Sequence, residues 1–354
     1  MSILSRYLAR TALSGTLLVL LILVAMSTFF NMLGEISDLG KGTYDLQDAV
    51  YFVLLSIPQQ AYQLFPIAVL LGGLLGLGQL AAANELMVMR TAGVSLYRLA
   101  AAVLLGGVML AVACVALGEF LAPPAERLAK ELKIRETQNR VGVASAQGIW
   151  LRQGNTFANI RVLTKAGDLR DIHLFTLDEE GRVARAAQAT HAGRHDGGWQ
   201  LHDYQATEFA ADGLTTQNAA TRTWPITLDS DMFELFVVDT DTLSSLDLYR
   251  YIQYLHANEL AASAYELAFW MRVITPVAVI VMLVLALPFV FGPLRSVGVG
   301  QRLVFGILIG VVFYIVNQTL TSSGQVYALP PLLVAWTPTV LLAGITLYAL
   351  RRTN

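Results

Sequence analysis

IAVLLGGLLGLGQLAAANELMVMRTAGVSLYRL, Ile67–Leu99, is the stretch whose reading decides the architecture. It opens as a glycine-rich, wholly apolar helix, and the apolar run stops at Asn84. A short amphipathic piece follows, Glu85-Leu86-Met87-Val88-Met89-Arg90, broken at Gly93, and a second apolar run begins near Leu99. A helix of about 20 apolar residues spans a bilayer, so the stretch reads as a membrane hairpin with a small helix across its tip. Arg90 and Arg98 place that tip on the cytoplasmic side. A short helix held between two spans can pass motion between a membrane bundle and a cytoplasmic partner. The same pattern also fits an interfacial helix resting on lipid headgroups.

Composition agrees with a membrane protein. The 354 residues are 55% hydrophobic and 14% charged, against about 25% charged in soluble chains, and the mean hydropathy is +0.55. The net charge of -2 averages two unlike parts. The single cysteine, Cys114, lies in an apolar run, so no intrachain disulfide can form. Arg6 and Arg10 precede the apolar run Ala12–Leu33, and Ala25-Met26-Ser27 resembles a cleavage site. The run is about 22 residues long, beyond the ~7–15 of a signal-peptide core, and is expected to stay as an uncleaved first span.

Further spans are expected from near Tyr51 to near Ala83, over Leu99–Leu121, from near Tyr265 to near Phe291, over Leu303–Leu320 and over Pro331–Leu350. Ala125–Asn139 reads as a charged helix leaving the membrane, and Ser245–Ala262 as a helix returning to it. From Val141 to about Thr242 the composition changes. Gly148–Leu151, Thr156–Leu163, Asp171–Leu177, Trp199–Phe209 and Glu234–Val238 alternate or are β-branched. Turn signals separate them at Gly154-Asn155, Ala166-Gly167-Asp168, Asp178–Gly181, Asp196-Gly197-Gly198 and Asp212-Gly213. Short strands at this spacing predict an all-β sandwich, jellyroll or barrel. The chain therefore divides into residues 1–125 (spans 1 to 3), 126–262 (a β domain with helical linkers) and 263–354 (spans 4 to 6). Arg6, Arg10, Arg90, Arg98, Arg295, Arg302, Arg351 and Arg352 flank one face, with Glu85 its only acid. That places both termini in the cytoplasm and the β domain on the opposite side, the periplasm if the membrane is a Gram-negative inner one.

Little in the chain points to catalysis, and no catalytic residue is expected. Gly34–Gly42 resembles a phosphate loop superficially, but its spacing is wrong, and Gly42 stands where Ser or Thr would hold Mg²⁺. His191 and His195 are interrupted by Gly193 and followed by a turn, which argues against a helical metal pair; no metal site is expected. Spans 1, 2, 3, 5 and 6 carry no charge at their centres, which disfavours an ion or proton relay. Glu266 and Arg272, near the outer end of span 4, are expected either to pair or to anchor at the interface. Glycines 72, 73, 76 and 78 permit close helix approach, within the bundle or towards a substrate. An apolar intramembrane surface with charges only at its rim suits an amphiphile, whose burial is worth about 0.8 kcal/mol per CH₂; it also suits packed protein interior. Lys41, Lys130, Lys133 and Arg135 gather on the trans side. They would attract anionic headgroups or, alternating with Glu126, Glu131 and Glu136, solubilise a helix.

The whole chain resembles the LptF/LptG permeases of the lipopolysaccharide export ABC transporter, and within that family looks most like the LptG type. The likeness rests on Phe65–Leu80 (FPIAVLLGGLLGLGQL), Asn84–Gly93 (NELMVMRTAG), Gly118–Pro123 (GEFLAP), Gly148-Ile149-Trp150, and Phe291–Ser296 (FGPLRS) followed by Phe313-Tyr314. The resemblance implies six transmembrane helices with a jellyroll-like periplasmic insertion, and extraction of lipopolysaccharide from the inner membrane. It implies an LptF-type permease partner, a cytoplasmic LptB-type ATPase dimer that uses the ATP, an LptC-type bitopic protein and an LptA-type periplasmic bridge. No cofactor is expected on this chain and no nucleic-acid partner. It further implies a coupling helix at 84–93, with Glu85, Leu86, Met89, Arg90 and Gly93 meeting the ATPase. Spans 1 and 5 resemble gate helices, with Leu23, Met26, Phe30, Phe313, Tyr314 and Asn317 at the gate and cavity. Lysines that LptG-type members carry after span 1 are replaced here by Asn31, Ser37 and Asp38, which shifts the expected headgroup role towards Lys41, Lys130 and Lys133. Two other classes compete: a membrane-anchored β scaffold that moves nothing, and a lipid-modifying membrane enzyme, for which paired carboxylates are lacking.

Overall fold

The computed structural model describes residues 3–138, 149–163, 168–178, 180–195, 198–210, 213–224, 240–258, 260–291, 298–327 and 329–353. Glu234–Val238, Gly148, Gly292–Ser296 and parts of three expected turns lie outside the described residues. The helices are α1 (Ile3–Glu35), α2 (Leu46–Leu55), α3 (Ile57–Ala82), α4 (Glu85–Thr91), α5 (Leu96–Ala116), α6 (Ala122–Gln138), α7 (Ser245–Ala257), α8 (Ser263–Phe291), α9 (Val299–Val326) and α10 (Pro331–Thr353). Among the described residues six helical runs are long and apolar enough to cross a membrane: α1, α3, α5 with its continuation into α6, α8, α9 and α10. The architecture is a six-span membrane protein with an inserted β domain.

Local chemistry explains two departures from the expected spans. The second apolar run is split at Ser56 into α2 and α3. Pro58 has no N–H for the carbonyl four residues back, but is tolerated in the first turn of a new helix, and the Ser56 hydroxyl donates to the Phe52 carbonyl at 3.0 Å. Upstream, Asp45 starts α2 with a capping box: its carboxylate accepts from the Gln47 and Asp48 amides, and Asp48 accepts from the Asp45 amide. The third run does not stop at Leu121. It passes through a π-helical turn, Leu117–Leu121, and continues as α6.

The bundle is built on α3, which touches α1, α8 and α9. Glycine makes this possible. A Cβ on Gly72 would lie 2.4 Å from the Thr16 Cα, one on Gly15 2.4 Å from the Gly72 carbonyl oxygen, and one on Gly76 2.7 Å from the Thr11 carbonyl oxygen. Here α1 and α3 meet backbone to backbone. Gly73 faces Leu283 and Ala286 of α8, and Gly306 and Gly310 of α9 face Leu71, Leu74 and Ile67. Packing within the bundle is therefore what these glycines serve. The common core joins Leu70, Leu74 and Leu77 of α3, Val103 of α5, and Met282 and Leu283 of α8.

The β domain is an antiparallel sheet of six strands in sequence order, β1 (Ile149–Gln153), β2 (Thr156–Leu163), β3 (Leu169–Leu177), β4 (Val183–His195), β5 (Gly198–Ala210) and β6 (Gly213–Trp224). One buried ladder runs across it from Ile160 to Ile172 to Ala189, and a second from Ala158 to Leu174, Ala187 and Ala206. Two strands lack the expected sequence signal. In β4 the buried face is alanine, at Ala187, Ala189 and Ala192, so hydrophobicity barely alternates. In β6 nearly every residue is exposed.

Replacing Gly72 with alanine pushes a methyl into the α1 backbone and is expected to lower the thermal midpoint of the purified protein by several degrees. Gly344→Ala, which meets nothing within 4 Å, is expected to leave it unchanged or raise it, as alanine is the better helix former.

Candidate functional site

Two chain reversals define the α4 helix. Asn84 adopts φ 59°, a left-handed conformation that asparagine tolerates, and Gly93 adopts φ 87°. Glu85 in its first turn and Arg90 in its last suit the helix dipole. Leu86 is buried in the central core and Met89 packs against it, so the helix is anchored to the bundle by one face. The Arg90 guanidinium sits 5.9 Å from the centre of the Phe291 ring at the end of α8. Glu85 accepts a 2.8 Å hydrogen bond from the Tyr7 hydroxyl of α1. Ala81, Leu86, Met87, Arg90, Val290 and Phe291 line a small recess between α4 and the ends of α3 and α8. Of the five residues expected here, Leu86 and Met89 face inward, while Glu85 and Arg90 tie α4 to two different spans.

Arg302, expected only as a flanking cation, is buried at 2% exposure, and its Nη1 donates to the Gly78 carbonyl at 2.6 Å. A cation at the last carbonyls of a helix is favoured by the dipole, so Arg302 fixes the start of α9 to the end of α3. Tyr7 and Arg302 carried no pattern of their own in the sequence; only the fold brings them to α4 and α3.

At the opposite end of the bundle, the four expected headgroup cations all lie against acids of the same chain. Lys133 donates to Glu35 at 2.8 Å and lies 2.8 Å from Asp38 and 4.8 Å from the centre of the Phe52 ring. Lys41 meets Asp38 at 2.5 Å, Lys130 meets Glu126 at 3.8 Å, and Arg135 meets Glu136 at 2.7 Å. The buried Tyr44 hydroxyl donates to Glu35 at 2.9 Å; burial, and then this bond to a carboxylate, raise its pKa above the usual tyrosine value. Gly42, at φ 64°, lets the loop reach α6 so closely that a Cβ would fall 2.4 Å from the Glu136 carbonyl oxygen. The end of α1 is thereby clasped to α6.

A second clasp centres on Glu119, in the π-helical turn. It accepts from the Ser245 amide at 2.9 Å and the Ser245 hydroxyl at 2.5 Å, and lies 3.9 Å from Arg272. Arg272 is buried, donates to the Gly118 carbonyl at 2.7 Å, and lies 5.8 Å from the centre of the Tyr62 ring. The Glu266–Arg272 pair considered from sequence is not made: Glu266 bonds His256 at 2.7 Å instead. The two residues lie six apart, most of two turns, and the turn after α5 brings Glu119 nearer. Arg127 of α6 completes the joint through the Thr242 carbonyl and the Asp247 carboxylate, each at 2.9 Å.

The expected gate residues divide between two spans. Met26, Phe30 and Tyr314 are exposed; Leu23, Phe313 and Asn317 are half-buried. α1 and α9 are the least buried spans, and both lie on α3, where Leu20, Leu23 and Leu303 pack over Val19, Ala68 and Leu71. In the β domain a cavity of about 310 Å³ is lined by Leu174, Ala187, Leu201, Tyr204 and Trp224, with Arg185 and Arg222 at its wall. Arg185 pairs with Glu208, and Arg222 lies over the Tyr204 ring at 4.7 Å. His191 stacks on His202 of the next strand, ring centres 4.3 Å apart and planes within 1°, so the two cannot both aim a nitrogen at one ion.

The Lys133 clasp is open to a double-mutant cycle. Lys133→Met strands two carboxylates and is expected to cost about 1–3 kcal/mol. Adding Glu35→Gln is expected to recover part of that loss, measured by thermal unfolding of the four variants.

Residues 6–352 match the family model described as lipopolysaccharide export system permease LptF/LptG. The lipopolysaccharide export system permease protein LptG of Haemophilus influenzae is 32% identical over 351 residues, covering 99% of this chain and 98% of that one. The LptG protein of Escherichia coli strain K12 is 32% identical over 354 residues with the same coverage.

Proposed function

The chain belongs to the LptF/LptG family of lipopolysaccharide export permeases, and on that premise we propose that it draws lipopolysaccharide out of the inner membrane and hands it to its own β domain. It is a multi-pass transport subunit. The power comes from a separate cytoplasmic ATPase dimer that receives α4, and an LptF-type permease completes the membrane cavity. Both termini and α4 face the cytoplasm and the β domain faces the periplasm, as the arginine distribution favours. An LptC-type bitopic protein and an LptA-type bridge take the lipid onward.

One observation carries the reading: α4 is anchored by Leu86 in the bundle core while Glu85 bonds Tyr7 on α1. A lever must be stiff where it meets the machine and polar where it meets the motor. This helix has one face in the core, a charged residue at each end, and a direct bond to one of the two spans that flank the exposed face of α3. The lipid's path then follows the apolar surfaces. Acyl chains gain about 0.8 kcal/mol per CH₂ in an apolar setting, so a path for several chains needs greasy protein throughout. The exposed apolar residues of α1 and α9 supply it within the membrane, and the Leu174–Trp224 cavity supplies it in the β domain. With the basic residues at the far end of α1 clasped to acids, phosphate binding there requires those pairs to open; Lys130, the longest pair at 3.8 Å, is the first available.

Glu85→Lys is expected to abolish lipopolysaccharide release from membranes while the chain still inserts and folds. Release at the normal rate by that variant sinks the coupling role. Tyr7→Phe removes only the bond to α1; it is expected to keep ATP hydrolysis by the assembled complex and to reduce lipid released per ATP about two- to fivefold, the worth of one exposed hydrogen bond.

A further inference from the structure

Near the Ile57 end of α3, three side-chain amide atoms are buried without a protein partner: Gln59 Oε1, Gln60 Oε1 and Gln60 Nε2. Their residues are 7% and 6% exposed. Unpaired carboxamides are costly in an apolar interior and more so at membrane depth, where water does not stand in. The register of the neighbouring helix brings another amide to the same place. Gly306 of α9 abuts Leu71 and Leu74, and Gly310 abuts Ile67, so α3 and α9 run past each other in opposite directions. About two turns further towards Val326, Asn317 falls opposite Gln60. Asn317 is half-buried. The rest of this seam is glycine against leucine and isoleucine, and nothing in its packing calls for two carboxamides.

We propose that Gln60 and Asn317 form a hydrogen-bonding site inside the membrane that receives an acyl amide, ester or hydroxyl of the transported amphiphile as it passes along the seam between α3 and α9. The proposal rests on the transport reading above and adds the site's chemistry. A carboxamide both donates and accepts, which matches neutral acyl linkages. Being uncharged, it avoids the desolvation penalty an ion would suffer there. α9 is the least buried span, so a passing chain displaces little protein packing at this seam. Gln60 lies in the first turn of α3, close to where the headgroup and chains of a lipid meet.

The test uses the complete transporter, with its partner permease and ATPase, reconstituted in lipid discs. Gln60→Leu and Asn317→Leu are made separately, and two quantities are read: lipopolysaccharide retained per complex, and the thermal midpoint of the lipopolysaccharide-free complex. The expected result is retention reduced about fivefold, the worth of one lost hydrogen bond, with the midpoint unchanged or raised because a stranded amide has been removed. A lower midpoint with normal retention would make the pair a structural latch and overturn the proposal; so would two unchanged readings. Should Gln60→Leu fail to assemble, Asn317→Leu poses the same question from the other helix. If the unsubstituted complex neither retains nor moves lipopolysaccharide, the transport reading itself falls and takes this site with it, a failure visible before any substitution is made.

Discussion

The approach of α1 to α3 through Gly15, Gly72 and Gly76 is the contact on which the rest depends. In a membrane, helices gain little from hiding apolar surface from one another, because lipid is as apolar as leucine; close contact and polar bonds must supply the attraction. Three positions without a Cβ let two backbones touch over more than a turn. Once α1 is fixed to α3, its two ends become the working parts. Tyr7 at one end reaches Glu85 of α4, and Glu35 at the other end reaches Lys133 of α6. One rigid rod thus links the proposed motor contact to the helix that leads into the β domain.

Much of this was legible beforehand, and what was not has identifiable causes. The six spans follow from apolar runs of the right length, and α4 from the abrupt polarity change at Asn84. The Ser56 break was signalled by Pro58, which suits a helix start better than its middle. β4 escaped because its buried side chains are alanines, and hydropathy barely distinguishes Ala187 or Ala189 from their neighbours; what alternates is the side of the sheet they occupy. The clasps at Glu119 and Lys133 join residues more than ninety positions apart. No local period records such pairs; only the path of the chain does.

Those pairs also recast the basic residues on the far side of the bundle. Counted in a sequence, Lys41, Lys130, Lys133 and Arg135 look like a landing site for phosphate. Placed in space, each has an acid close by. A phosphate competing for Lys133 must displace both Glu35 and Asp38, and Glu35 is held by Tyr44 as well. Such an exchange loosens the end of α1 from α6. On the transport reading, the arrival of an anionic headgroup and the freeing of a gate helix are then a single event, because the same cation serves both partners.

The same logic separates the two ends of α9. Its beginning is pinned by Arg302, buried and bonded to the last turns of α3. Its middle is held by glycines seated on leucine and isoleucine side chains, a contact of small area that parts without breaking a hydrogen bond. Towards Val326 the seam carries amides whose partners this arrangement does not supply. A helix fixed at one end, loosely seated along its length and unsatisfied at the other pivots about the fixed end, so α9 opens first at the Gln60–Asn317 level. That is the level where an acyl linkage can repay the amides, and it makes the opening of the seam and the capture of the lipid depend on the same two side chains.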